Sequence, residues 1–155
     1  MIIAVGSDHR GFETKEQIKA IAAELGHECI DVGTDSENPV DYPDLAYLAA
    51  TAVSKKQADR AILICATGIG MCMAANKVKG IRAALCHDEL SAQVSRDHND
   101  SNVLCLSGDQ IGQVLLRKMI ELWLSTKFSG GRHERRVRKI QAIEENIDPR
   151  TITKG

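Results

Sequence analysis

The stretch Ile62-Leu63-Ile64-Cys65-Ala66-Thr67-Gly68-Ile69-Gly70-Met71 constrains this chain more than any other. An apolar run leads into a thiol, a hydroxyl and two glycines, and a helix-forming segment follows. Such a run reads as a buried parallel strand, a turn stripped of side-chain bulk, and the opening of a helix whose unpaired N–H groups can hold an oxyanion. A thiol beside an anion cradle points to chemistry.

The same alternation runs through the rest of the chain. Strands read at residues 2–6, 28–32, 61–65, 82–86 and 103–106. Amphipathic helical stretches read near 13–25, 44–56, 71–78, 89–97, 110–126 and 134–147. Short apolar runs separated by helices imply βαβ units. The expectation is one doubly wound α/β domain over residues 1–147, with a parallel sheet of about five strands covered on both faces and a C-terminal helix. Residues 148–155 are expected to form a flexible tail.

At 155 residues the chain is long enough to bury about 70% of its unfolded surface without staples. A net charge of −1 gives no global attraction for nucleic acid or an anionic membrane, and with 3% aromatics there is no base-stacking platform. No apolar run approaches the roughly 18 residues of a spanning helix, and Met1 leads straight into an apolar strand with no basic leader. A cytoplasmic protein is expected. The cysteines at 29, 65, 72, 86 and 105 contain no C-x-x-C pair and lie mostly in apolar runs, which suits reduced thiols better than a disulfide or zinc framework.

Ligands of open α/β sheets sit outside the carboxyl ends of the strands. That edge here collects Ser7-Asp8-His9-Arg10-Gly11, Gly33-Thr34, Asp41-Tyr42-Pro43, Ala66-Thr67-Gly68-Ile69-Gly70 and His87-Asp88. Asp8 also suits a helix cap, and Asp41-Tyr42-Pro43-Asp44 a helix start. Cys65 stands at the mouth of the glycine turn, where a cysteine is a candidate nucleophile or base. The turn lacks the third glycine of a dinucleotide fingerprint, since Met73 stands there, and no Gly-Lys-Ser/Thr follows as in a P-loop. A cysteine phosphatase would need an arginine where Met71 is. The turn therefore reads as an oxyanion cradle without a nucleotide. Further on, Arg132 and Arg136 share one face near a helix start, a geometry suited to gripping phosphate.

Taken together, Ser7-Asp8-His9-Arg10-Gly11, Asp41-Tyr42-Pro43-Asp44, Cys65-Ala66-Thr67-Gly68-Ile69-Gly70, Ala74-Ala75-Asn76-Lys77, Ser95-Arg96-x-His98-Asn99-Asp100 and Gly130-Gly131-Arg132-His133-x-x-Arg136-Val137 resemble the type B ribose-5-phosphate isomerases. The similarity is colinear over about residues 1–146, and the wider group includes galactose-6-phosphate isomerase subunits and allose-6-phosphate isomerase activity. The resemblance implies a Rossmann-like three-layer α/β/α fold, a homodimer or dimer of dimers, no metal or other cofactor, and interconversion of ribose 5-phosphate and ribulose 5-phosphate. It makes Cys65 the base that moves a proton between C2 and C1 through a cis-enediolate, and Thr67 the group that moves protons between the two oxygens. The amides of Ala66, Gly68, Ile69 and Gly70 would hold the enediolate. His98 and Asp8 would open the furanose ring, Tyr42 and Asn99 would orient the sugar, and His9, Arg132 and Arg136 would bind phosphate.

Two positions depart from the family pattern. Ala66 replaces a usual glycine, and Asp109 stands where a phosphate-binding arginine is common, which leaves Arg10 to compensate or the preferred substrate to differ. A six-carbon substrate such as allose or galactose 6-phosphate is one alternative. A non-catalytic sugar-phosphate-binding module is the other, although a binder needs no Cys65, Thr67 or His98. One geometric expectation is independent of the family. His98 precedes a strand while Cys65 ends one, so in a single parallel sheet they lie at opposite edges, some 15 Å or more apart at about 3.3 Å per residue.

Overall fold

A computed structural model describes residues 1–153. Strands β1 (Ile2–Ser7), β2 (Glu28–Asp31), β3 (Arg60–Cys65), β4 (Ala83–Leu85) and β5 (Val103–Ser107) form one parallel sheet in the order β2-β1-β3-β5-β4. Between and after them run α1 (Phe12–Glu24), α2 (Tyr42–Ser54), α3 (Ile69–Ala75), α4 (Glu89–Asn99), α5 (Gln113–Ser125) and α6 (Arg132–Glu144). This is the three-layer α/β architecture expected from the alternation of apolar runs and helical stretches.

The central strands β1, β3 and β5 are buried on both faces, so alternate residues feed two separate cores. Ile3, Val5, Ile62, Ile64, Leu104 and Leu106 pack against Ile18 of α1, Ala92 of α4 and Leu116, Met119 and Trp123 of α5. Ala4, Ala61, Leu63, Cys65 and Cys105 face Ala46, Ala49, Ala50 and Val53 of α2 and Met71 and Ala75 of α3. The second core is built largely of alanine, which lets α2 lie close to the sheet.

Several elements are shorter or shifted relative to the sequence expectation, each for a local reason. α3 stops at Ala75 because the Asn76 side chain takes over the pairing, donating from Nδ2 to the carbonyls of Cys72 and Ala83 at 3.0 and 2.9 Å and accepting the Ala83 N–H at 2.9 Å. That staple also starts β4 at Ala83 instead of Arg82. α5 starts at Gln113 because Ser107 Oγ accepts the Gln110 N–H at 3.1 Å and holds the intervening residues as a turn. In the tail, Pro149–Thr151 form a 3-10 turn whose Pro149 carbonyl accepts from Lys139 Nζ at 2.9 Å; residues 154–155 lie outside the described residues. No described helix is long and apolar enough to cross a membrane.

From β1 the chain crosses to β2 on one side, and from β3 it moves toward β5 and β4 on the other. The sheet therefore changes direction between β1 and β3, the place where such folds open a crevice at their carboxyl edge.

Candidate active site

The loops after β1 and β3 meet at that crevice. The Asp8 N–H donates to the Ile64 carbonyl at 3.2 Å. The buried Asp8 carboxylate accepts the Arg10 and Gly11 amides at 2.9 and 3.2 Å and caps the 3-10 turn His9–Gly11 that leads into α1. Capping and placement are the same act here, since the amides fix the carboxylate beside the end of β3.

Cys65 is the last residue of β3 and is 5% exposed. Its Sγ accepts the Gly68 N–H at 3.1 Å, and the exposed Thr67 Oγ1 accepts the Ile69 N–H at 3.3 Å. The turn closes this tightly because Gly68 adopts φ +76, where a Cβ would stand 2.9 Å from the Leu106 backbone. The loop thus places a thiol, a hydroxyl and the first amides of α3 together, with Gly68 and Gly70 contributing no side chain of their own to the turn.

Tyr42, the first residue of α2, lies over this loop: a Cβ on Gly70 would meet its ring carbons at 2.6 Å. His9 comes from the other side. The Val40 N–H donates to His9 Nδ1 at 3.3 Å, so a neutral His9 carries its proton on Nε2. The loop that supplies this amide is tied down near its start by Lys15, a fully buried lysine whose Nζ bonds Asp31 Oδ1 at 2.9 Å and the Thr34 carbonyl at 2.6 Å. Beside His9, Arg10 pairs with Asp109 at 2.7 Å across a cleft of about 390 Å³ that both line with Glu13, Thr14, Glu37 and Gly108. Asp109 is therefore a neutralised acid, matched by the neighbouring arginine.

The remaining candidates sit elsewhere. His98 and Asn99 end α4, and the chain turns through Asp100 at φ +47 into β5. Asp100 is clamped by Arg96 and Arg82, both at 2.8 Å, and the buried Ser101 hydroxyl receives the Trp123 indole N–H at 2.9 Å. The His98 ring stacks on that of His133 with centroids 4.1 Å apart and planes 6° from parallel. His133 lies in the first turn of α6, so Arg132 and Arg136, both exposed, border the same stack.

These two groups occupy opposite edges of the sheet. Asn102 accepts the Ala61 N–H at the start of β3, whereas Cys65 stands opposite Ser107 at its end. The four register steps from Ala61 to Cys65 span about 13 Å at 3.3 Å each, and His98 lies beyond Asn102. Asp8, His9, Tyr42, Cys65, Thr67, Gly68, Ile69 and Gly70 gather at one edge, and His98, Asn99, Arg132 and Arg136 at the other, as the chain order implied.

The chain is similar to known proteins over most of its length. The family described as Ribose/Galactose Isomerase matches residues 3–140. The chain belongs to that family. Ribose-5-phosphate isomerase B of Escherichia coli is 47% identical over 143 residues, covering 92% of this chain and 96% of that protein. D-erythrulose-4-phosphate isomerase of Pectobacterium atrosepticum is 43% identical over 144 residues, covering 92% and 94%. The solved structure of Clostridium thermocellum ribose-5-phosphate isomerase B superposes with a TM-score of 0.93 at 45% identity, covering 94% of this chain and 99% of that one. Within the ribose/galactose isomerases the chain falls with the type B ribose-5-phosphate isomerases, and it is a sugar-phosphate isomerase.

Three features of the site go beyond the sequence reading: the Val40 amide on His9, the direct ion pair of Asp109 with Arg10, where the sequence offered compensation by Arg10 or a different substrate, and His133 under His98. The first is a backbone group and leaves no residue signature. The others join positions 99 and 35 residues apart, which only the tertiary fold brings together.

Proposed function

We propose that this isomerase interconverts ribose 5-phosphate and ribulose 5-phosphate, with Cys65 as the proton carrier. The observation that carries the reading is the Cys65 thiol held by the Gly68 amide in a glycine turn, beside Asp8 and Tyr42 at the switch point of the sheet. A module that only binds sugar phosphates has no use for it. The Cys65 thiolate takes the proton from C2 of the open aldose, and the C–H electron pair becomes the C1–C2 double bond of an enediolate. Amides of the 66–70 loop hold the oxyanion, a contribution worth about 10²–10³ in rate per donor. Thr67 passes a proton between O1 and O2, and Cys65 returns its proton to C1 to give the ketose. Tyr42 and Asn99 orient the sugar, and His9, Arg132 and Arg136 bind the phosphate.

Ring opening requires His98 and Asp8 on one sugar, and phosphate binding requires Arg132 and Arg136 near His9. Opposite edges of one chain cannot supply both, so the reading includes a dimer in which each site takes Cys65 from one subunit and His98 from the other. The exposed apolar residues Tyr42, Tyr47 and Leu48 of α2 and Ile69 and Met73 of α3 flank the Cys65 half-site and give a second copy a surface to cover.

The test is the Cys65→Ala variant assayed with ribose 5-phosphate, alongside solvent-deuterium exchange into ribulose 5-phosphate. Loss of both with the fold and phosphate affinity intact supports the reading; near-normal exchange overturns the role of Cys65. Wild-type kinetics on four-, five- and six-carbon aldose phosphates then rank the substrates, and a clear preference for a six-carbon sugar would replace the ribose assignment.

A further inference from the structure

His133 is 7% exposed, its Nδ1 is buried with no hydrogen-bond partner among the described residues, and its ring stacks on the face of His98. A buried imidazole nitrogen without a partner is costly, and a histidine retained in that state calls for an explanation other than packing, since an apolar residue would fill the space without the penalty. The stack supplies the explanation.

We propose that His133 is a positioning residue for the ring-opening proton transfer, holding the plane of His98. The proposal rests on the reading of His98 as the ring-opening group and extends it to a residue with no assigned role. Two imidazoles stacked at 4.1 Å do not both carry charge cheaply, so what else each ring faces matters. Their neighbours differ. His98 Nε2 lies 3.4 Å from Asp97 Oδ2, and Asp97 is itself held by the hydroxyl and, through its carbonyl, the amide of Ser129 in the loop before α6. His133 faces Arg132 and Arg136 on its own helix, which with burial outweigh the opposing charge of Asp97, and among the described residues it has nothing on Nδ1. The carboxylate sits against His98 Nε2, whereas nothing among the described residues pairs with His133 Nδ1. Burial, then His98 and the two arginines, lower the proton affinity of His133 in the same direction.

In ring opening the C1–O4 bond breaks with its electron pair on O4, which takes a proton from His98. The O1 hydroxyl gives its proton to the Asp8 carboxylate, and C1 becomes the aldehyde carbon. His133 neither gains nor loses a proton in this step. It acts by keeping the His98 ring from turning.

Ribulose 5-phosphate is open-chain, because its O5 is esterified and cannot close on C2. Deuterium exchange at its C1 therefore reports the enediolate step alone, whereas consumption of ribose 5-phosphate also needs ring opening. His133→Leu fills the space without stacking, and His133→Phe fills it with a flat ring. The expected result for His133→Leu is a fall of about tenfold or more in turnover of ribose 5-phosphate, part of the 10²–10⁴ a placed general acid supplies, with exchange into ribulose 5-phosphate within about twofold of wild type. His133→Phe should recover most of the loss. Equal loss of turnover and exchange in His133→Leu, or no rescue by Phe, overturns the proposal, as does an unchanged turnover. His98→Ala separates the two ideas: if it spares ribose 5-phosphate turnover, the reading of His98 fails, and if it alone shows the selective loss, only the stacking proposal fails.

Discussion

Gly70 lies so close under the ring of Tyr42 that a Cβ built on it would stand 2.6 Å from two ring carbons, while nothing but this ring is that near. The contact joins the cradle to α2 through a side chain that is 41% exposed and free to swing. Gly70→Ala is therefore expected to fold and to push Tyr42 off the loop. A displacement of about 1 Å at a substrate-orienting group can cost 10²-fold, so kcat/KM should fall by up to that amount with little change in Tm. A large loss of Tm with unchanged kcat/KM would contradict it.

Gly68→Ala makes the opposite case in the same loop. Its φ of +76 costs an alanine roughly 1–2 kcal/mol, and besides a Leu85 methyl the atoms in the way are the Leu106 backbone, which cannot swing aside. At about 2–4 °C per kcal/mol for a chain of this size, Tm should drop by several degrees before any catalytic effect is counted. Thermal unfolding of the two alanine variants side by side checks the contrast.

The fold was readable because the apolar runs of β1, β3 and β5 are buried on both faces, and such runs advertise themselves. The edge strands were harder to bound: β2 is mostly exposed, and the start of β4 is set by a side chain, Asn76, that imitates a neighbouring strand. The Cys65 half-site was legible because its residues follow strands directly, where topology alone puts them at one edge. Val40 and His133 were not, and Asp109 only as a departure from the family pattern, since a backbone amide, a ring stack and an ion pair between distant segments have no local pattern.

Arg10 and Asp109 are both exposed enough that their pair contributes little to stability, so its effect should appear in binding. Arg10→Ala leaves an unmatched carboxylate beside His9 and should raise KM for phosphorylated substrate; adding Asp109→Ala should reverse most of that rise. Asp109→Arg should leave KM unchanged or lower it. Arg132→Ala should raise KM by an amount corresponding to about 1.5–3 kcal/mol, the worth of a charge-assisted contact. Steady-state kinetics on all four proteins settles whether the cleft beside His9 receives the phosphate.

The pH dependence of stability should carry the signature of His133. Burial, with help from His98, Arg132 and Arg136, lowers its pKa in the folded protein below the ordinary value of about 6.5. Between the two values the unfolded chain binds more protons than the folded one, so stability is complete above pH 6.5 and is lost as pH falls through the folded value. His27 is shifted the same way by burial and by the N-terminal ammonium, which adds to the slope. In His133→Phe the fall of Tm between about pH 7 and 5.5 should be shallower than in wild type, while the His27 part remains. Parallel curves for the two proteins would show that His133 keeps an ordinary pKa.

If the site is shared, inactive subunits should rescue one another. In Cys65→Ala the His98 half-site is intact, and in His98→Asn the Cys65 half-site is intact. A hybrid dimer of the two contains one site with both defects and one with neither. Random pairing makes half of all dimers hybrids, so co-expressed equal amounts should recover about a quarter of wild-type activity. A site built within one chain would recover none, because every subunit would keep its own defect. The 13 Å of β3 between the two half-sites argues for rescue, and the measurement is the specific activity of the mixture against each parent alone.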